Sequence, residues 1–364
     1  GLVSYSAYLW HQPLFAFGRI LTVGQVGRGT YMALIIANFV LAHLTWKYVE
    51  APFRNKRRFS RPRIFAWSIA GSLAFVAIGS ARFLVDRDNH LSYEKRVNYG
   101  LSSACEFGDS FTPIEACRTS PSPKVLVWGD SFGMHIVAGL TASDSTIALV
   151  QATKSLCAPF LHIGPVSLAD RQRGTRSAEE CMRFNNSVFT YLSNHPLLET
   201  VVISSPFRQY VDSTTFDLLA PDGMTHASLT LATRGLSETI ERLRKVGKHV
   251  VIIAPPPAGN FNMGNCIERQ RLHMPIYGPA RGCVITLDQY RGTYGPVLAL
   301  LDSVEHRANV SVIRFDSLLC DSIACRTTLD GVPIYRDVAH FSYAGITYIG
   351  RKMDLANRVR MLAK

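Results

Sequence analysis

No cysteine occurs in the first 100 residues of this sequence, and all eight cysteines lie beyond them. No CxxC pair and no Cys/His spacing typical of zinc ligands is present, so no metal site is predicted. An even number of cysteines confined to one segment is typical of proteins that fold in an oxidising compartment. The alternative is that the cysteines are free and buried. Their clustering favours bonds between neighbours in the sequence, and the predicted pairs are Cys105–Cys117, Cys157–Cys181, Cys266–Cys283 and Cys320–Cys325.

Acidic residues are few beside the basic ones, with 27 Asp and Glu against 39 Lys and Arg and a formal net charge of +12. An excess of positive charge can indicate nucleic-acid binding. Here, however, a cluster without any acid lies between two apolar runs, and it consists of Arg54, Lys56, Arg57, Arg58, Arg61 and Arg63. We interpret this cluster as a membrane-flanking loop and predict no nucleic-acid partner.

A cleavable signal peptide is also absent, because the sequence has neither a basic N-terminal region nor a small-residue cleavage site. The sequence begins with glycine rather than methionine, and it begins inside an apolar pattern. We therefore expect it to be the C-terminal piece of a longer protein.

Three apolar segments lie at residues 2–23, 31–48 and 64–85. Roughly 20 apolar residues span a bilayer, so each is a candidate transmembrane helix rather than a buried core helix. Loops rich in Lys and Arg are cytoplasmic, which places the chain beyond about residue 86 outside the cytoplasm, as the cysteines also favour. The predicted organisation is two transmembrane helices in 1–53, a cytoplasmic loop at 54–63, a third helix at 64–85, a linker at 86–123 and a globular domain at 124–364.

Strand and helix patterns alternate in the globular domain. The predicted strands are 124–128, 146–151, 200–204, 249–254 and 310–315. The predicted helices begin near Ser131, cover 179–194, run from Leu229 to about Gly247, cover 287–306, and extend from about Tyr343 to the end. This alternation predicts an α/β fold in which helices cover both faces of a parallel sheet. Ligands of such sheets bind beyond the carboxyl ends of the strands.

Gly129-Asp130-Ser131 lies where the first strand should end and a helix begin. Gly129 permits a tight turn, and Ser131 is predicted at a helix N-terminus, where free N–H groups can stabilise an oxyanion. The alternative is a helix cap without catalytic function.

Asp337-Val338-Ala339-His340 follows the fifth strand. There His340 can act as the base that activates Ser131, while Asp337 orients the imidazole of His340.

His135 competes with His340 as the base, since it lies one helical turn after Ser131. A side chain at that position generally does not reach the attack side of the serine. We therefore predict a packing or hydrogen-bonding role for His135.

The two motifs resemble the SGNH (GDSL-type) hydrolase superfamily, and residues 153–159 and 337–342 are similar to the type fused to membrane domains. Residues 4–13 and 48–54 resemble the end of the acyltransferase-3 family of membrane proteins. The resemblance implies a bacterial O-acetyltransferase of surface glycans, with a flavodoxin-like SGNH domain in the periplasm and an inner-membrane anchor. It also implies Ser131 as nucleophile, His340 as base and Asp337 as its partner.

The implied acetyl transfer needs a donor, membrane helices and an acceptor that lie outside this sequence. The resemblance predicts no cofactor bound by this chain, acetyl-CoA as the donor for the full-length protein, and upstream acyltransferase-3 helices of the same chain as partners. A polysaccharide, with lipopolysaccharide O-antigen favoured, is the predicted acceptor. His11 belongs to the membrane-family pattern, but its role is open.

The sequence departs from the superfamily at the oxyanion hole. A Gly after the second strand and an Asn after the third are normally present, whereas this sequence has Lys154-Ser155-Leu156 and residues 204–210 there. Ser155 and Arg208 are candidate replacements. The departure also keeps two other functions open, namely a periplasmic esterase of glycans or lipids and a non-catalytic glycan-binding module.

Overall fold

The computed structural model describes residues 3–24, 26–54, 60–86, 95–277 and 282–363. Two compact units are present. The helical unit comprises Gly1–Tyr93 and Glu268–Gly282, and the sheet unit comprises Glu94–Ile267 and Cys283–Lys364. Residues 56–58 of the basic cluster lie outside the described residues.

The helical unit contains α1 (Ser4–Leu21), α2 (Arg28–Thr45), α3 (Ala51–Arg54) and α4 (Arg61–Asp86), with a π-helical turn at Trp46–Glu50 between α2 and α3. The helices α1 and α2 pack against each other. Two polar contacts join the ends of this pair: Ser6 Oγ donates to Glu50 Oε2 at 2.8 Å, and Trp10 Nε1 donates to Thr45 Oγ1 at 2.8 Å. His11 Nδ1 lies 2.5 Å from the Tyr8 carbonyl oxygen of its own helix, which assigns no further role to His11.

Two helical stretches of the described residues, Arg28–Arg54 and Arg61–Ala81, are long and apolar enough to cross a membrane by length and composition. In the second stretch no side chain is buried, and Phe75 is 80% exposed. The first predicted span, which forms α1, is not among them. Insertion of these helices into a bilayer stays a prediction.

The sheet unit is built on five parallel strands: β1 (Val125–Gly129), β2 (Leu149–Thr153), β4 (Thr200–Ser204), β7 (His249–Ile253) and β9 (Ser311–Ile313). Their order across the sheet is β2-β1-β4-β7-β9. This is the flavodoxin-like order, in which the second strand is added on one side of the first and the later strands are added on its other side. The predicted α/β class with a parallel sheet is confirmed. Two strands differ in extent, since β2 begins at Leu149 rather than Thr146 and β9 covers only three residues.

Helices flank the sheet in two groups. The helices α5 (Ser131–Ser143), α12 (Tyr343–Met353) and α13 (Leu355–Leu362) pack together, as do α7 (Arg208–Val211), α8 (Leu229–Lys245) and α10 (Leu287–Ala308). The remaining helices are α6 (Arg171–Asn194), α9 (Met263–Arg271) and α11 (Asp316–Leu319). The α6 helix begins eight residues before the predicted start, because its first turns are polar and its cap is Asp170. The predicted last helix is interrupted at Asp354, whose backbone is left-handed.

A second, antiparallel sheet has no counterpart in the sequence prediction. It consists of β3 (Gly164–Ser167), β5 (Phe216–Ala220) and β6 (Gly223–His226), in the order β3-β5-β6. Short pairs also form between β8 (Ile285–Thr286) and β10 (Ala324–Cys325) and between β11 (Thr328–Leu329) and β12 (Val332–Pro333). These strands are short and lack a clear alternation of apolar residues, so periodicity gives little signal for them.

The described part of the predicted linker, residues 95–123, belongs to the sheet unit. Its two 3₁₀ turns, Ser103–Cys105 and Glu115–Cys117, lie along the edge of β2. Phe107 N donates to Thr153 O at 2.9 Å, and Thr119 N donates to Leu149 O at 2.9 Å. This segment therefore covers the free edge of the sheet, which periodicity alone did not reveal because its contacts come from turns and a disulfide.

All four predicted disulfides are present, and no free cysteine occurs among the described residues. The Cys105–Cys117 bond closes the edge segment, and Cys157–Cys181 ties the loop after β2 to α6. The Cys266–Cys283 bond joins the residues that flank the segment 268–282. Each bond removes conformational freedom from the unfolded chain and so stabilises the sheet unit.

We expect denatured but unreduced protein to bind no maleimide, because all eight cysteines are paired. After reduction, intact-mass analysis should count eight adducts. The same chain produced in a reducing cytoplasm is the control. If protein isolated from its native compartment were labelled by maleimide before reduction, the disulfide assignment would be contradicted.

Candidate active site

Ser131 is the first residue of α5 and follows β1 after a turn of one residue. Gly129 is required at this turn by the neighbouring strand, because a Cβ there would lie 2.0 Å from the Ser204 carbonyl oxygen of β4. The absence of a side chain thus lets β1 and β4 stay paired to their last residues, Gly129 and Ser204. The close approach places Ser131 at the point where the sheet order reverses, which is where ligands of this architecture bind.

Asp130 caps α5 and is buried. One carboxylate oxygen accepts from Phe132 N at 2.9 Å, and the other accepts from Ser205 Oγ at 2.7 Å. The N–H groups of a first helical turn have no partner within their helix, and Asp130 accepts from Phe132 rather than from Ser131. The Ser131 N–H therefore remains available, at the positive end of the helix dipole, for an oxygen that gains negative charge.

Burial raises the pKa of Asp130 from 3.8 to about 6, despite the opposing hydrogen bonds from Phe132 N and Ser205. Ser205 follows β4 at the place where the superfamily pattern carries its GxND motif. The hydrogen bond from Ser205 to Asp130 was not predicted from the sequence. The only signal for it was a polar pair, Ser204-Ser205, directly after a buried strand.

His340 lies in a short loop whose two ends are hydrogen-bonded to each other. Residues Tyr335 and Phe341 form an antiparallel bridge, and Arg336 N donates to His340 O at 3.0 Å. The buried Ser342 that follows donates its hydroxyl to Pro333 O at 2.7 Å and caps α12. These bonds position His340 immediately before the helix, in the loop that the sequence predicted.

Gly264, near the start of α9, supports this loop from another side. A Cβ at Gly264 would lie 2.0 Å from the Arg336 carbonyl oxygen, so only glycine permits the contact. The Cys266–Cys283 bond anchors the same helix. The sequence contained no signal for this contact, because the two segments are distant along the chain.

The three residues predicted as a triad meet in the structure. Ser131 Oγ lies 2.8 Å from His340 Nε2, and His340 Nδ1 lies 2.9 Å from Asp337 Oδ2 and 3.0 Å from Oδ1. An ionised carboxylate only accepts, so Nδ1–H donates to Asp337 and Nε2 is left to accept from the Ser131 hydroxyl. The arrangement has the hydrogen bonds that a serine nucleophile and its base require.

Asp337 remains ionised at this position. Burial opposes its charge, but the hydrogen bond and charge of His340, together with the backbone N–H groups of Ala339 and His340, hold the pKa of Asp337 well below its usual value. Arg336 Nε lies 3.4 Å from Asp337 Oδ2, close enough to attract its charge although it makes no hydrogen bond. A permanently charged Asp337 keeps the His340 tautomer that can accept the serine proton.

His135 is buried, with its ring centroid 5.1 Å from that of Phe341 and 6.1 Å from that of His340. Neither of its ring nitrogens has a hydrogen-bond partner among the described residues. Burial, together with the charge of His340, holds the pKa of His135 well below its usual value, so the ring is neutral. The contacts favour the packing role over hydrogen bonding or catalysis.

The two candidate oxyanion donors do not join the triad. Ser155 is exposed in the turn after β2. Arg208 begins α7 and pairs with Asp212 at 3.4 Å. Within the described residues neither forms a hydrogen bond with Ser131, Asp337 or His340. Their function as oxyanion donors stays a prediction.

A family model described as the SGNH domain fused to AT3 domains matches residues 104–354, more than half of the chain. The chain belongs to this family. No curated protein matches the sequence. Among solved structures, the periplasmic domain of a lipopolysaccharide acetyltransferase from Salmonella ser. Paratyphi A is similar in fold, with a TM-score of 0.52 and 17% identity. The match covers 75% of this chain and 96% of that chain.

The family match begins at residue 104, which agrees with the position of residues 95–123 within the sheet unit. In this SGNH domain the serine comes from the first strand of the sheet and the histidine from a loop more than 200 residues later.

The raised pKa of Asp130 predicts a stability difference that depends on pH. An unfolded Asp loses its proton near 3.8, whereas the folded Asp130 keeps it to about 6, so the folded state loses stability as the pH rises through this window. In the Asp130→Asn variant the amide oxygen still accepts from Phe132 N, the amide N–H can donate to Ser205 Oγ in the reverse direction, and there is no proton to lose. Between about pH 4 and about pH 7, its stability relative to the parent should rise by on the order of 2–3 kcal/mol.

Urea denaturation of the detergent-solubilised proteins, followed by circular dichroism, measures this difference. An Asp109→Asn variant is the matched control, because Asp109 is exposed. A constant difference between parent and Asp130→Asn across the pH range would show that burial does not raise the pKa of Asp130.

Proposed function

We propose that this protein transfers an acetyl group to a hydroxyl of a bacterial surface polysaccharide, most specifically lipopolysaccharide O-antigen. Membership of the family of SGNH domains fused to AT3 domains supports acyl chemistry linked to a membrane domain. The observation that carries the proposal is the continuous hydrogen-bonded chain Ser131–His340–Asp337 at the carboxyl edge of the sheet. A glycan-binding module without chemistry would have no need of this arrangement.

In the proposed reaction Ser131 Oγ attacks the acetyl carbonyl carbon while its proton passes to His340 Nε2. The oxyanion lies at the N-terminus of α5, where the Ser131 N–H donates to it. The imidazolium, held by Asp337, returns the proton to the leaving group, and acetyl-Ser131 remains. A sugar hydroxyl then attacks this ester, gives its proton to His340, and displaces Ser131, which recovers the proton.

The proposed location is the periplasmic side of the bacterial inner membrane. The four disulfides support an oxidising compartment for the sheet unit, and the two long apolar helices support an anchor. The donor in this proposal is acetyl-CoA on the cytoplasmic side, whose acetyl group is carried across by upstream helices of the same protein.

Hydrolysis is the second candidate function, and one observation favours it. The side chains of His340 and Asp337 are 24% and 34% exposed, so water has access to the triad in this state. An esterase uses the same acetyl-Ser131 and differs only in the final acceptor. The membrane-fused family favours transfer.

The Ser131→Ala variant should abolish acetylation, because no other hydroxyl among the described residues is paired with His340. The measurement is the acetyl content of the surface glycan, by mass spectrometry, in a host that lacks its own enzyme and produces the full-length protein. Ser193→Ala is the control, since that hydroxyl bonds only to Phe189 O in its own helix. Removal of acetyl groups from a glycan acetylated beforehand would indicate an esterase, and identical glycans in all strains would exclude a catalytic Ser131.

The Asp337→Asn variant should lower the transfer rate by roughly 10²–10⁴-fold, because the amide can stabilise the wrong imidazole tautomer and does not stabilise the imidazolium. The side chain keeps its size, so the thermal midpoint of the variant should stay close to that of the parent protein. The Asp302→Asn variant, at an exposed position of α10, serves as control. A rate within a factor of about two of the parent would contradict the role of Asp337.

A further inference from the structure

A cavity of about 350 Å³ lies in the sheet unit between the loop after β2, the strands β3 and β5, and α6. This volume is within the range of small-molecule sites. The cavity is lined by Lys154 and Gln209 among others, but not by Ser131, Asp337 or His340. It is therefore distinct from the triad described above.

The strand order places this cavity beside the nucleophile. Ser131 follows β1, and β1 lies between β2 and β4 in the sheet. Lys154 follows β2 directly, and its N–H donates to Gly129 O at 3.1 Å, while Gln209 lies in α7 after β4. The cavity thus draws residues from both strands that flank the strand of Ser131, on the carboxyl edge where ligands of this fold bind.

The charges that line the cavity balance one another. Lys154 Nζ lies 3.8 Å from Glu180 Oε2, and the lining also contains Arg173 and Asp170, whose carboxylate caps α6 by accepting from the Arg173 backbone N–H. A phosphate or carboxylate ligand would need positive charge without neighbouring carboxylates. The lining instead combines both charges with the hydroxyls of three serines and the amide of Gln209, which suits a ligand rich in hydroxyl groups.

Gln209 supplies a group without a partner. Its side chain is 8% exposed, and its amide oxygen has no hydrogen-bond partner among the described residues. A buried polar atom without a partner costs free energy that a ligand hydroxyl could recover. Apolar surface is provided by Phe216 and by Leu156, whose side chain is 69% exposed at a backbone φ of 60° that L-residues rarely adopt.

The Cys157–Cys181 bond joins two walls of the cavity, the loop after β2 and α6. A second constraint acts two turns earlier on the same face of α6, where a Cβ at Gly174 would lie 2.7 Å from Ser167 N of β3. The cavity is therefore held by a covalent bond and by a close backbone contact.

We propose that this cavity is the acceptor subsite, which holds one uncharged sugar residue of the polysaccharide next to acetyl-Ser131. The proposal rests on the proposed function for the direction of transfer, but the binding of a sugar can be tested without it. The Gln209 amide bonds to ring hydroxyls, and Phe216 and Leu156 contact the apolar face of the ring.

The experiment uses the full chain in detergent, p-nitrophenyl acetate as acetyl donor and methyl glycosides of neutral hexoses and 6-deoxyhexoses as acceptors. Acetylated glycoside and free acetate are both quantified, and their ratio measures how acetyl-Ser131 partitions between sugar and water. The Ser177→Trp variant fills the cavity from the exposed face of α6. Ser193→Trp is its matched control, the same change on the same helix away from the cavity.

We expect Ser177→Trp to lower the ratio of acetylated glycoside to acetate by at least about tenfold, and Ser193→Trp to leave it unchanged. The Gln209→Met variant removes the amide at similar size and should raise the KM for the glycoside by about three- to tenfold, the effect of one hydrogen bond. Equal ratios in the Ser177→Trp and Ser193→Trp proteins would overturn the proposal.

Saturation-transfer NMR with the same glycosides and the Ser131→Ala protein tests binding separately. Signals that disappear when Ser177→Trp is added, and persist with Ser193→Trp, support the subsite even if p-nitrophenol release by the parent does not exceed that of Ser131→Ala. That combination would reject the proposed catalytic function alone. Signals that are absent, or unaffected by Ser177→Trp, would reject the subsite while leaving the triad intact.

Discussion

The contact between the backbones of α5 and α12 is the constraint on which the candidate site depends. A Cβ at Gly350 would lie 2.2 Å from the Gly139 carbonyl oxygen, so the two helices approach as closely as main chains allow. Ser131 begins α5, and His340 precedes α12 by three residues. Because both helices are rigid, their close packing sets the serine within hydrogen-bond distance of the imidazole across 209 residues of sequence.

The same site combines two carboxylates in opposite electrostatic situations. Asp337 accepts four hydrogen-bond contacts from two residues and stays ionised, whereas Asp130 is buried beside Ser205 and holds its proton to a higher pH. One carboxylate accepts from the His340 imidazole, and the other caps the helix that begins with Ser131. Their different surroundings, rather than their chemistry, set these different charge states.

The departure from the superfamily pattern after β2 and β4 coincides with the cavity between the loop after β2 and α6. Lys154 and Ser155 stand where a glycine is usual, and the segment with Ser205 and Gln209 replaces the usual asparagine motif. Lys154, Ser155 and Gln209, which these loops contribute, line this cavity. The segments that depart from the pattern are therefore the ones that shape the space on this side of the sheet unit.

Much of this protein was determined by local sequence. Buried strands such as Val125–Gly129, the cap at Asp130, the clustered cysteines and the order of the GDS and DxxH motifs were sufficient to predict the α/β class, the disulfides and the three residues that meet. The antiparallel sheet, the edge segment at 95–123, Gly264 beneath Arg336, and the cavity with Gln209 were decided only by tertiary structure. Each of these depends on contacts between distant segments whose residues lack periodicity, so no window of sequence contains the information that places them together.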